Sequence, residues 1–135
     1  EGAPIYVGGV DETALTSNPP RIGEAAGFVY PISGEGIRPA IASAWALAEY
    51  LVSGGDPVKR LSSVIAWIRR QRKLLDYVKR ARPEARAAVL RSISVRDAVD
   101  IALGTMSTAR LAALAARAAL SSVASVFRAL LEGSG

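Results

Sequence analysis

The sequence predicts a mainly α-helical fold: a short extended N-terminal segment followed by about five helices. Three observations carry that prediction. Beyond Gly36, apolar residues recur at helical spacing along most of the chain. Pro4, Gly8, Gly9, Pro19 and Pro20 punctuate the first twenty residues too often for a helix. Recognisable stop and start signals then separate the apolar runs. The organisation read from these signals has two parts. Residues 1–55 hold the extended segment, a glycine-turn motif and the first helix, and residues 56–135 form a C-terminal helical domain.

Within Glu1 to Pro20, Ile5-Tyr6-Val7 is a short strand candidate and Asp11 to Asn18 a loop or brief turn. Pro19-Pro20 sets an extended approach to Ile22, a second strand candidate. Next comes a small-residue turn, Gly23-Glu24-Ala25-Ala26-Gly27, then Phe28-Val29-Tyr30, Pro31 and a second turn, Gly34-Glu35-Gly36. A helix pattern starts there, with Ile37, Ile41, Trp45, Ala48 and Leu51 at helical spacing. Pro39 fits its first turn, where a missing N–H costs nothing. Free N–H groups at that helix start, together with the helix dipole, favour a polar or anionic ligand edge.

Ser53-Gly54-Gly55-Asp56-Pro57 is the clearest boundary: glycine ends one helix, Asp56 caps the next and Pro57 occupies its first position. Leu61, Val64, Ile65, Ile68, Leu75 and Val78 give that helix one apolar face as far as Ala81. Arg69, Arg70, Arg72, Lys73, Lys79 and Arg80 give it a basic one. Such a face suits phosphate groups or an acidic membrane, although a plain solvated surface is the commoner use of the pattern. Few aromatics interleave with the basic residues, which argues against single-stranded nucleic acid.

Pro83 ends that helix and starts another through Ala87, Val89 and Leu90 to about Ile93. Ser94 with Asp97 resembles a capping box for a helix from Val95 to Leu103, closed by Gly104. Ser107 or Thr108 caps a last, alanine-rich helix reaching Leu131, with Arg110, Arg117 and Arg128 along it. Gly133-Ser134-Gly135 reads as a frayed end.

Composition limits the chemistry. The chain has 135 residues and 50% apolar content, enough for a modest core. It has no Cys and no His, which removes disulfides, thiol chemistry, the usual zinc sites and every His-based catalytic arrangement. No metal is expected. Seventeen basic and twelve acidic residues leave a net charge of +5. No apolar run reaches transmembrane length, and no signal-peptide pattern opens the chain. The expectation is a soluble, cytoplasmic chain, with peripheral contact at a membrane surface as a further option.

The stretch from Gly23 to the helix after Ile37 resembles the second flavin-contacting motif of the geranylgeranyl reductase family of FAD-dependent oxidoreductases. That family's pattern is a Gly-Asp-Ala-Ala-Gly turn, an apolar stretch with Pro, Gly-x-Gly-Ile and a long helix. Here it reads Gly23-Glu24-Ala25-Ala26-Gly27, Pro31, Gly34-Glu35-Gly36-Ile37 and the helix from Arg38, with Glu24 in place of the usual Asp. The resemblance implies that Glu24 hydrogen-bonds the ribityl chain of FAD. It also implies that Gly34, Glu35, Gly36 and Ile37 present backbone N–H groups to the pyrimidine edge of the flavin. Phe28, Val29, Tyr30 and Pro31 would lie near the ring and substrate.

Such flavoproteins open with a strand, Gly-x-Gly-x-x-Gly and a helix, which these residues lack. The resemblance therefore implies the C-terminal part of a larger α+β, Rossmann-like flavoprotein that reduces isoprenoid double bonds. The chain alone would then hold FAD poorly and be inactive. No catalytic residue is nominated. The missing N-terminal FAD-binding portion is the expected partner, and an apolar isoprenoid the expected substrate. The alanine-rich last helix is then either a tight packing surface or a lining for the isoprenoid. Apolar surface left uncovered along the helix from Ile37 is expected to drive self-association. From a different class, the alternative is a stand-alone helical interaction module whose basic helix, Val58 to Arg82, binds an acidic partner.

Overall fold

The computed structural model describes Gly2, residues 4–117 and Leu120. Among these residues the fold is mainly helical and contains no strand. The helices are α1 (Ile37–Ser53), α2 (Pro57–Arg60), α3 (Ser62–Arg80), α4 (Pro83–Ser92) and α5 (Val95–Leu103). Residues 108–117 are also helical, and two 3-10 turns, Glu12–Thr16 and Gly23–Ala26, precede α1. The expected continuation to Leu131 and the Gly133-Ser134-Gly135 end lie outside the described residues.

Neither strand candidate forms. Ile5, Tyr6 and Val7 are not in regular structure, and Ile22 is extended but unpaired. A strand needs a neighbouring backbone ladder; here the Tyr6 N–H donates to the Glu24 side chain at 2.9 Å instead.

The chain divides into two compact units, Glu1–Asp76 and Tyr77–Gly135, the division falling within α3. The Asp56-Pro57 boundary thus separates helices inside the first unit. There the second 3-10 turn packs on α1, α2 packs on α1, and the first 3-10 turn meets both α2 and the second. The core of this unit is Leu15, Phe28, Val29, Leu61, Ile65 and Ile68, with Ala14, Ala26, Tyr30, Ala46 and Trp67.

Helix α1 turns its small residues inward. Pro39, Ser43 and Ala46 are buried, whereas Ile37, Ile41, Trp45 and Leu51 are 62–74% exposed and Val52 is 85% exposed. The basic helix expected from Val58 through Ala81 is broken into α2 and α3 at Leu61. There the Leu61 N–H is shared between the carbonyls of Pro57 and Val58, both at 3.1 Å, and its side chain turns into the core. Helix ends follow local chemistry. The Asp56 carboxylate accepts from the N–H groups of Val58 (2.9 Å) and Lys59 (3.1 Å), and Pro57 sits at the first position.

In the second unit, Pro83 opens α4 and Gly104 closes α5 in a left-handed conformation. Ser94 and Asp97 form a reciprocal capping box at the start of α5. Ser107 accepts the Arg110 N–H at 3.3 Å, as an N-cap to the helical residues that follow. Ala88, Ile101, Met106 and Leu114 are buried.

Candidate functional site

Two glycine turns flank the start of α1, and each is pinned by side chains from elsewhere in the first unit. In the first, the Gly27 N–H donates to Glu24 O and the Phe28 N–H to Gly23 O, both at 2.9 Å. The Gly23 N–H donates to Ser43 Oγ at 2.9 Å, and that buried hydroxyl donates on to Ala40 O at 2.7 Å. The turn is therefore bonded to the middle of α1. Gly27 must be glycine: its φ is +77°, and a Cβ there would lie 1.9 Å from Gly9 O. The second turn is closed by Tyr30 N–H to Glu35 O (2.8 Å) and Gly34 N–H to Tyr30 O (2.9 Å). It is held to α3 by Ile32 N–H to Gln71 Oε1 at 3.2 Å.

Glu24 is exposed and, besides capping the Tyr6 N–H, lines an open cleft of about 450 Å³ with Gly9, Asp11, Arg21 and Gly27. Asp11 is held below the ordinary carboxylate range, chiefly by the Thr13 hydroxyl at 2.7 Å and then by Arg21 at 2.7 Å. This cleft is within the size range of small-molecule sites and presents two carboxylates and one guanidinium.

At the α1 terminus the Glu35 carboxylate accepts the Arg38 N–H at 2.8 Å, and its other oxygen lies 3.8 Å from Arg38 Nε. That second oxygen is shielded from solvent and accepts no hydrogen bond. The N–H groups of Gly36 and Ile37 have no partner among the described residues. Gly36 differs from its neighbours. Its φ is −119°, open to any residue, and a Cβ would make an ordinary 3.5 Å contact with Val29. Gly34, by contrast, needs its positive φ of +69°.

Phe28, Val29, Tyr30 and Pro31 are buried. In this chain they are core side chains, and burial pushes the Tyr30 hydroxyl pKa up, so it stays protonated. The structure thus gathers Gly34, Glu35, Gly36 and Ile37 at one helix start. It puts Glu24 in a cleft and the expected substrate-facing residues in the core.

On the basic helix, Arg69 pairs with Glu12, while Arg72 bonds Asp76 at 3.1 Å and the Val7 carbonyl. Arg70 and Lys73 are exposed without an ion pair among the described residues.

Sequence reasoning assigned Asp97 a capping role alone. Its almost fully buried carboxylate accepts from Ser94 Oγ (2.7 Å), Ser94 N (3.1 Å), Arg110 (2.9 Å) and Arg117 (3.1 Å). The Ser94 bonds, then Arg117, lower its pKa to about 2. Arg110 also pairs with Asp100. The available signal was the seven-residue spacing of Arg110 and Arg117, which puts both on one helix face. With both carboxylate oxygens engaged inside the unit, this cluster reads as a structural tie.

No group of three or more potential ligands could hold a metal among the described residues, and no described helix is long and apolar enough to cross a membrane. No protein-family model, curated protein or solved structure matches the chain.

Proposed function

We propose that this chain is the C-terminal part of an FAD-dependent oxidoreductase of the geranylgeranyl reductase type, in which, within residues 23–37, Glu24 and Gly34-Glu35-Gly36-Ile37 contact the flavin. The observation that carries the reading is Gly36. Its backbone angle is open to any residue and a Cβ would make only an ordinary contact, so the bare backbone at this helix start leaves room for a ligand edge to approach. The Gly36 N–H and that of Ile37 have no partner among the described residues.

A flavin fits this set in kind. Its pyrimidine edge presents two carbonyl acceptors, complementary in kind to the N–H donors of Gly36 and Ile37. The positive end of the α1 dipole favours negative charge on a reduced flavin. Glu24, exposed beside a cleft, is available to a ribityl hydroxyl. When bound, the flavin supplies hydride chemistry at a carbon–carbon double bond; the chain's part is to orient the ring edge and stabilise its charge. The FAD-binding portion of the parent, and an isoprenoid substrate presented at a membrane surface, belong to the same proposal.

The alternative, an interaction module docking an acidic partner on α3, rests on Arg70 and Lys73. It is the weaker reading because Arg69 and Arg72 are engaged inside the unit.

One titration tests both. Riboflavin, FMN and adenosine monophosphate are added separately to isotopically labelled chain, and amide NMR shifts are followed. The flavin reading expects riboflavin and FMN alike to move Glu24 and Gly34 to Ile37, and expects Gly36→Val to abolish those shifts. Shifts confined to Arg70 and Lys73, equal for FMN and adenosine monophosphate, would replace it with the basic-helix reading.

A further inference from the structure

The bulky face of α1 is exposed and has no partner among the described residues, and its spacing is symmetric. Ile37, Ile41, Trp45, Ala48 and Val52 form one exposed stripe, opposite the buried Pro39, Ser43 and Ala46. The stripe is centred between Ala44 and Trp45. Turned end for end about that point, Ile41 falls opposite Ala48 and Ile37 opposite Val52, so a large side chain meets a small one beside the central tryptophan. Such alternation is what two packed helix faces require.

The charges repeat the symmetry. Arg38 and Glu49 lie on the same edge of the stripe, near its opposite ends. In an antiparallel pair related by a two-fold axis, that edge meets its own copy, bringing Arg38 of one chain towards Glu49 of the other. Within each chain Arg38 pairs with Glu35 and Glu49 with Arg60. The edge would then carry an alternating row, Glu35, Arg38, Glu49, Arg60, across the two copies. A parallel pair would instead leave Arg38 and Glu49 of the two copies eleven residues apart along the axis, ~16 Å, too far to pair.

We infer that α1 is a homodimer interface in which two copies of this chain pack antiparallel through this stripe, centred on Trp45. This stands on the exposed face and its symmetry, independently of the flavin reading. One helix face supplies less than the ~800 Å² per partner of a standard interface. Association is therefore expected at concentrations on the order of tens of micromolar.

The experiment uses the chain as it is. Sedimentation equilibrium should show the mass doubling with concentration, and Ile41→Asp should weaken association at least about tenfold while circular dichroism stays unchanged. Because the chain has no cysteine, introduced pairs report alignment. Ile41→Cys chains mixed with Ala48→Cys chains should form a mixed disulfide dimer under mild oxidation, in excess of either alone. A chain that stays monomeric, association indifferent to Ile41→Asp, or Ile41→Cys linking best to itself, each overturns the proposal. The last two results would assign the contact to another surface or to parallel helices.

Discussion

Helices α1 and α3 are both long and amphipathic, and they use their bulky residues in opposite ways. Helix α3 buries Ile65, Trp67, Ile68 and Gln71 and leaves Arg69, Arg70 and Lys73 outside. Helix α1 buries Pro39, Ser43 and Ala46 and leaves its isoleucines and Trp45 outside. The cause lies in what each helix meets. The first glycine turn bonds directly to α1 through Ser43, and a Cβ on Gly23 would come within 3.2 Å of Ala40 Cβ. Only small side chains allow backbone that close. An apolar stripe thus marks a face that some surface can cover, and the neighbouring backbone decides whether that surface is the chain's own core.

The largest test of this contrast is Ile68→Ala. Ile68 is fully buried, so losing its side chain removes transfer free energy and leaves a cavity, a cost of about 3 kcal/mol. Urea denaturation should show the midpoint fall with little change in slope. A loss below about 1 kcal/mol would mean that the site collapses readily, and that α3 holds its core less tightly than its burial implies.

A second test concerns the other way a polar group comes to lie inside. Ser43 is buried to serve a turn; Asp97 is buried as the hub of Ser94, Arg110 and Arg117. The Asp97 carboxyl titrates at about 2 when folded and at ~3.9 when unfolded. Its contribution is therefore complete above about pH 4 and is lost as pH falls through about 2. Asp97→Asn should flatten the acid-side stability profile in that window, read from amide signals of α5 on thermal melting. Some slope should persist from Asp11, whose pKa is also lowered. An unchanged profile would show that the arginines do not hold the carboxylate in solution as they do in the fold.

Much of the fold was legible because helix ends are local chemistry. Asp56-Pro57, Pro83, Ser94 with Asp97, and Gly104 each act within one turn of their own position. The glycine turns were legible for the same reason, since Gly27 and Gly34 take positive φ where the motif places them. What the sequence hid was non-local. The N–H of Tyr6 finds Glu24 eighteen residues away rather than a strand. Leu61 interrupts a continuous helical pattern because the core draws it inward. Phe28, Val29 and Tyr30 are bulky and beside a glycine turn, a description that fits substrate walls and core side chains equally; in the fold they are buried. Within the motif, spacing could not distinguish a glycine needed by the turn, Gly34, from one the turn does not need, Gly36.

The smallest expected effect is the most discriminating. Ile41→Ala makes on α1 the same chemical change that Ile68→Ala makes on α3. At protein concentrations low enough to keep the chain monomeric, it should alter stability by no more than ~0.5 kcal/mol, as is usual for an exposed position. Unfolding of the two variants under one set of conditions therefore measures the difference between the faces directly. If Ile41→Ala costs as much as Ile68→Ala in the monomer, the α1 stripe is covered by its own chain and the contrast fails. If it is neutral when dilute and costly only where association occurs, the stabilisation from Ile41 belongs to the contact between copies, which is the use its exposure leaves open.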